Sequence, residues 1–299
     1  MIEDRLGAGP ISWGVCEVPG WGIMLPADRV LDEMAALGIH ATELGAPGFL
    51  PDDAAAVKAT LDGHGMRLIG GFVPLVLHDP AEREATLASA RATADVFVAA
   101  GGHVFVSTPV ASDAWGAPFP LGAAQWSHLA GMLDELDELC ADRGLVHALH
   151  PHVGTLVETA EQVDRALAHT DVPWCFDTGH LLIGGVDPAA FVREHAARIG
   201  HVHLKDVDAR LAADVRDGTR SLVSATQAGL FRPLGDGDAG IDAVLGLLEQ
   251  SGYERWLVLE QDIAITGSEP PAGGGPVLDV RKSIEFLSTR APRREVFHR

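Results

Sequence analysis

The sequence predicts an α/β fold, a single (β/α)8 TIM barrel spanning residues 1–299. Two observations carry that expectation. Eight apolar, strand-like runs alternate with amphipathic helical stretches along the 299 residues, and strands separated by helices pair in parallel through right-handed crossovers. No Gly-rich loop of the GxGxxG or GxxxxGKS/T kind opens a helix after an early strand, as an open nucleotide-binding sheet would want.

The strands expected, in order, are Ala8–Val15, His40–Leu44, Arg67–Val73, His103–Thr108, Val146–His150, Val172–Asp177, Ile199–Leu204 and Trp256–Glu260. Each is a short apolar run of strand length. Between them, Val30, Leu31, Met34 and Leu37 share one face of a helix over Ala27–Leu37. Ala81–Ala100, Ala123–Arg143, Ala160–Ala168, Pro188–Ala197 and Ile241–Gln250 read the same way. Asp79-Pro80 and Asp187-Pro188 supply N-cap and N1 chemistry. Gly38, Gly144 and Gly252 stand where a helix has just ended. Two long connections, Ser107–Gln125 and Val207–Gly240, follow the fourth and seventh strands. Both fall on the side where barrel active sites lie, so both are expected to cover a pocket. Leu234-Gly235-Asp236-Gly237-Asp238-Ala239-Gly240 reads as a turn into the helix at Ile241, and Thr266–Gly275 as a Gly/Pro loop. Residues 290–299 read as a basic, frayed tail.

Composition narrows the function. With 47% hydrophobic and 21% charged residues, a large core is available and global disorder is excluded. The 42 acidic residues outnumber the 22 basic ones, a net charge of −20. Such a surface repels nucleic acid and anionic membrane. Cys16, Cys140 and Cys175 form no CxxC pair, which fits a reduced cytoplasm. The opening Met-Ile-Glu-Asp-Arg-Leu lacks the pattern of a signal peptide, and no run of eighteen apolar residues exists. A cytoplasmic protein is expected.

Four runs carry the chemistry. Leu149-His150-Pro151-His152, Phe176-Asp177-Thr178-Gly179-His180, His201-Val202-His203-Leu204-Lys205-Asp206 and Leu257-Val258-Leu259-Glu260-Gln261-Asp262 each close an apolar strand with a metal-competent side chain. A parallel barrel brings such strand ends to one mouth. His150, Asp177, His203 and Glu260 can then surround one divalent cation. A mixed N/O shell suits Mn²⁺, Co²⁺, Fe²⁺ or Zn²⁺ better than Mg²⁺ or Ca²⁺. The competing reading makes them hydrogen-bonded barrel residues with no ion.

Further motifs accompany these runs: Pro10-Ile11-Ser12-Trp13-Gly14-Val15-Cys16-Glu17, Ala41-Thr42-Glu43-Leu44-Gly45, His150-Pro151-His152-Val153-Gly154-Thr155, Gly235-Asp236-Gly237 and Glu260-Gln261-Asp262. Together they resemble the sugar isomerase/epimerase superfamily of xylose-isomerase-like barrels, and within it most of all the inosose (2-keto-myo-inositol) dehydratases. The resemblance covers nearly the whole chain. The DTGH and HVHLKD motifs are widespread in the superfamily, whereas the PISWG opening with HPHVGT and EQD is more specific. The superfamily pattern implies a metal held by Glu, Asp, His and Glu from strands five to eight. Here His150 stands where the epimerases carry Glu, which breaks the symmetry of two opposed carboxylates and favours one-way elimination.

The resemblance implies metal-dependent dehydration of inosose or a close cyclic keto-polyol, by removal of an α-proton and loss of a β-hydroxyl. The metal expected is Mn²⁺ or Co²⁺, with Zn²⁺, Fe²⁺ or Mg²⁺ as alternatives. Glu260 or His152 is the candidate base, Lys205 the group that holds the carbonyl oxygen or enolate, and His180 the acid. Trp13 and Glu43 are candidate contacts to the ring face and hydroxyls. Few Arg or Lys flank the motifs, which argues against a phosphorylated substrate; Lys205 and Arg232 are the exceptions, and Arg232 is a further candidate substrate contact. Trp21 and Trp115 line the pocket or seal a subunit contact, and a homodimer or higher oligomer fits the group. The alternative function is a keto-sugar isomerase or epimerase working through an enediolate. A metal-cluster nuclease is disfavoured by the charge, and a sugar-binding barrel without catalysis would not need four ligands at one mouth.

Overall fold

The computed structural model describes residues 3–290. Its barrel strands are β1 (Leu6–Ala8), β2 (Ala41–Glu43), β3 (Arg67–Leu75), β4 (Val104–Pro109), β5 (Val146–Leu149), β6 (Trp174–Asp177), β7 (Ile199–Leu204) and β10 (Leu257–Leu259). All pair in parallel, and the order β1-β10-β7-β6-β5-β4-β3-β2 closes on itself. The expected barrel is therefore present. Inside it, Ala41, Ile69, Val104, Val106, Ala148, Cys175 and Val258 fill the lumen. A larger apolar layer packs the strands against the outer helices. The strands of a closed parallel barrel present both faces to apolar surroundings, which is why they read as continuous apolar runs. Gly70 is required by close approach: a Cβ there would lie 1.8 Å from the Val104 carbonyl oxygen.

The outer helices include α1 (Ala27–Ala36), α2 (Ala54–Gly63), α3 (Arg83–Ala100), α4 (Ala123–Ala141), α5 (Ala160–His169), α6 (Thr178–Ile183), α7 (Pro188–His195), α10 (Ile241–Gln250) and α11 (Pro276–Ser288). Asp187 caps α7 as expected, accepting from Ala189 and Ala190 N–H. Asp79 accepts from Ala81 N–H one turn ahead of α3. Gly38, Gly144 and Gly252 all take positive φ just past helix ends. Three differences from the sequence reading stand out. The first strand stops at Ala8, and Pro10–Trp13 form a 3₁₀ turn, because Pro10 has no N–H to continue the ladder. Helices α2 and α11 were not expected at all. The third is α6, a six-residue helix capped by Asp177 itself.

The excursion after β7 folds into a small antiparallel ribbon, β8 (Asp206–Val207) with β9 (Phe231–Arg232), and two short helices, α8 (Ala209–Arg216) and α9 (Leu222–Gln227). Buried Asp206 holds its far end. The carboxylate accepts from Gly235 N–H at 2.8 Å, Gly237 at 3.1 Å and Ala239 at 2.9 Å. The Gly-rich loop is thus a turn into α10, as expected, wrapped around one carboxylate. Gln227 then ties α9 across the mouth, donating to Gly20 and Trp21 carbonyls at 3.0 and 3.1 Å. No helix among the described residues is long and apolar enough to cross a membrane. Of the tail at 290–299, all but Arg290 lies outside the described residues.

Candidate active site and metal cage

The four strand-end residues meet at the C-terminal mouth. His150 Nε2 lies 3.3 Å from Asp177 Oδ2. His203 Nδ1 lies 3.5 Å from the same oxygen and 3.0 Å from Glu260 Oε2. Asp177, His203 and Glu260 have donor atoms all within 4.8 Å of one another, and so do His150, Asp177 and His180. The two groups share Asp177, so His150 joins the set through Asp177. That carboxylate is aimed by its own cap: Oδ1 accepts from Gly179 and His180 N–H at 2.9 and 2.8 Å, leaving Oδ2 to face the cage.

Lys205 reaches into the same space. Its Nζ lies 2.7 Å from Asp262 Oδ1, 3.0 Å from Glu260 Oε2, 3.4 Å from Asp177 Oδ2 and 3.1 Å from His180 Nε2. Behind the cage, Glu43 Oε1 accepts from His201 Nε2 at 2.8 Å and His203 Nε2 at 3.1 Å. Three carboxylates, Asp177, Glu260 and Asp262, therefore crowd around one ammonium, while Glu43 faces the two histidines behind them.

The electrostatics follow from that crowding. Burial opposes ionisation of Glu43 and Asp177, but His203 and His201 hold the first, and Lys205 and His180 the second, below the ordinary carboxylate range. Burial likewise opposes charge on Lys205, yet Asp177, Asp262 and Glu260 keep it an ammonium. For Asp262 burial prevails and, with Glu260 adding to it, pushes the carboxyl up. Burial pushes His152 down to about 3, helped by neighbouring His150 and Lys205. His180 is pushed well down for the same reasons, with His152 as the largest charge effect. Both rings are therefore neutral at neutral pH.

The donors fit a divalent ion. His203 gives its Nε2 proton to Glu43 and turns Nδ1 toward two carboxylates; burial opposes charge on the ring, but Cys175, Glu260, Glu43 and Asp177 hold it well above the ordinary imidazole value, so an ion would take the place of the Nδ1 proton. Its buried Nδ1 approaches both carboxylates but forms no well-aligned hydrogen bond among the described residues. An unpaired buried nitrogen is costly, and a cation between His203, Asp177 and Glu260 removes that cost. Excess negative charge and mixed N/O donors suit the same ion.

Above the cage opens a cavity of about 980 Å³, bordered by His150, His152, Lys205, Glu260, Asp262 and Glu43 on its polar side. Both long connections reach it, through Trp115 from one and Arg220 and Leu222 from the other. The Trp115 ring stacks on Phe72 with centroids 5.7 Å apart and planes 14° apart. Phe72 in turn meets His150 and His152 at 5.7 and 5.5 Å. His152 and His180 stand ring to ring at 3.9 Å.

Two expected contacts do not reach this cavity. Trp13 is fully buried, and its Nε1 donates to Glu33 Oε2 at 2.8 Å; it packs the top of β1 against α1. Arg232 is 42% exposed on the ribbon and pairs with Asp208 at 3.1 Å. Trp21 and Trp115 do line the cavity, whereas the sequence reading left Asp262, Phe72 and Arg220 without a role. Only Asp262 had a signal, two residues beyond Glu260 and so on the same side of the strand end.

A closed parallel barrel with His and carboxylate side chains gathered at the C-terminal ends of its strands has its candidate site where barrel enzymes carry theirs. Residues 31–290 match the family model described as xylose isomerase-like TIM barrel, and the chain belongs to that family. It is 34% identical over 275 residues to the rhizopine catabolism protein MocC of Rhizobium meliloti, covering 88% of this chain and 82% of that one. It is 33% identical over 295 residues to an inosose dehydratase of Geobacillus kaustophilus (strain HTA426), covering 95% and 93%. Among solved structures, the probable 3-DHS dehydratase AsbF of Bacillus anthracis superposes with a TM-score of 0.69 at 14% identity, over 96% of this chain and 99% of that one. The zinc-bound IOLI protein gives 0.68 at 14%, over 95% and 97%. At such identities these two structures speak to the fold alone.

Proposed function

We propose that this chain dehydrates inosose or a close cyclic keto-polyol. The carrying observation is the convergence of His150, Asp177, His203 and Glu260 in one cage, within a chain 33% identical to an inosose dehydratase over 95% of its length. These four would hold a divalent ion, Mn²⁺ or Co²⁺ first and Zn²⁺, Fe²⁺ or Mg²⁺ after them. When bound, such an ion supplies Lewis-acid polarisation of a ketone and so acidifies the neighbouring C–H.

The remaining steps belong to the side chains. Glu260 and neutral His152 border the cavity and are the candidate bases for the α-proton. The C–O electron pair then leaves with the β-hydroxyl, and a proton delivered to that oxygen makes water. Lys205 carries a proton at the cage floor and is held by Asp262, Glu260 and Asp177. It can steady the developing enolate oxygen or, with His180 3.1 Å away, supply the leaving group's proton. Phe72 and Trp115 offer a flat apolar wall to the C–H face of a ring. His150 in place of a second carboxylate leaves the two sides of the reacting carbon unequal, which favours elimination over reversible epimerisation. The free thiols Cys16, Cys140 and Cys175 fit a cytoplasmic setting.

The test uses purified protein, inosose and Mn²⁺ or Co²⁺ in D₂O. Elimination yields a conjugated enolic diketone, so ultraviolet absorbance should rise. Deuterium at the α-carbon without a chromophore would favour the epimerase reading instead. Neither signal with any inosose would refute both.

A further inference from the structure

We propose that Glu43 is a positioning residue: by taking the Nε2 protons of His201 and His203 on a single oxygen, it turns His203 Nδ1 toward Asp177 and Glu260 as a ready-made metal ligand. This rests on the metal-cage reading above and deepens it, since the strand-end pattern alone assigned Glu43 to substrate.

The geometry is specific. Glu43 ends β2 and His203 lies in β7, on the far side of the lumen in the strand order. Their hydrogen bond, 3.1 Å between His203 Nε2 and Glu43 Oε1, crosses the barrel interior. The register of β2 against β3 shifts between Thr42 and Glu43, and such irregularities commonly re-aim a side chain beside a site. Glu43, His201 and His203 are all buried, so no water competes for the bond. With Nε2–H held by Glu43, the ring is turned so that Nδ1 sits 3.0 Å from Glu260 and 3.5 Å from Asp177, and an entering ion would displace whatever proton that nitrogen carries. Turning the ring over would break the Glu43 bond and point Nδ1 away from both carboxylates. His201 completes the support, because its own bond at 2.8 Å anchors the same oxygen. A carboxylate behind a ligating histidine sets its tautomer and raises its basicity, and removing it typically costs ten- to a hundredfold in metal affinity. Glu43 borders the cavity, but Oε1 is already committed to the two rings.

The test is equilibrium dialysis of full-length protein against Mn²⁺ alone, comparing wild type with Glu43→Gln and Glu43→Ala. Glutamine keeps an oxygen acceptor and removes the charge; alanine removes both. Kd should rise about tenfold for Glu43→Gln and toward about a hundredfold for Glu43→Ala. Ring-nitrogen NMR of metal-free wild type should show His203 protonated at Nε2, a signal that Glu43→Ala loses. Circular dichroism checks folding, and the isosteric glutamine carries the test if alanine does not fold. Equal Kd values in wild type and Glu43→Gln, with Nε2 protonation unchanged, would overturn the role while leaving the cage intact. A wild type that takes up no Mn²⁺ would overturn the cage itself, and the role of Glu43 with it.

Discussion

Asp177 does two jobs with two oxygens. Oδ1 caps α6 and Oδ2 faces the cage. The jobs separate by mutation. Asp177→Asn keeps a cap acceptor, since asparagine caps as well as aspartate, so stability should stay within about 1 kcal/mol while metal uptake and turnover collapse. Asp177→Ala should lose both the ion and about 1 kcal/mol more of stability. Metal analysis beside urea unfolding distinguishes them, and normal metal content in either variant would remove Asp177 from the ligand set. Single residues were legible to the extent that a strand end gave them away. His150, Asp177, His203 and Glu260 closed apolar runs, where a polar group needs a partner, and the structure brings them together. Trp13 was misread because its partner, Glu33, lies 20 residues on and gave no local sign. Trp115 was readable only as an ambiguous loop residue, since its placement depends on a positive φ of 67°, rare for a bulky side chain.

At the scale of elements, alternation of apolar runs and helical faces marked the barrel strands, while boundaries went wrong wherever a cap or a proline decided them. The apolar run from Ala8 to Val15 continues through Pro10, so hydropathy alone could not stop it. Helix α6 is only six residues long and is capped by a cage residue, so no periodicity could reveal it. The ribbon excursion was legible as a long connection, but not its anchor. Asp206 lies just past Lys205 and accepts three N–H groups from residues 29 to 33 positions away. Asp206→Ala would orphan all three, and the buried one, on Ala239, costs about 1–3 kcal/mol when unpaired. A loss of about 1–3 kcal/mol in urea unfolding is expected, with faster proteolysis between 207 and 240. Wild-type stability in that variant would show the anchor to be dispensable.

For the whole molecule, the proposed cage makes ion binding and folding one equilibrium. The four proposed ligands come from β5, β6, β7 and β10 or the residues just beyond them, so an ion held by them would join half of the barrel staves and bind only the folded chain. A ligand at a hundred times its Kd stabilises a fold by about 2.7 kcal/mol. Adding Mn²⁺ or Co²⁺ at that excess should therefore raise the Tm, EDTA should reverse the rise, and Mg²⁺ should give less. A Tm indifferent to every one of these ions would sink the cage. The net charge of −20 acts in the same direction, gathering cations near the mouth at low salt.

The bridge from Gln227 to the backbone of Gly20 and Trp21 makes the entrance lopsided. One flank is latched by two hydrogen bonds spanning more than two hundred residues of chain, whereas the Trp115 ring on the opposite flank rests on ring contacts with Phe72 and His152. Traffic in and out should favour the aromatic flank, so turnover limited by product departure would respond to changes around Trp115 and stay deaf to changes at Gln227.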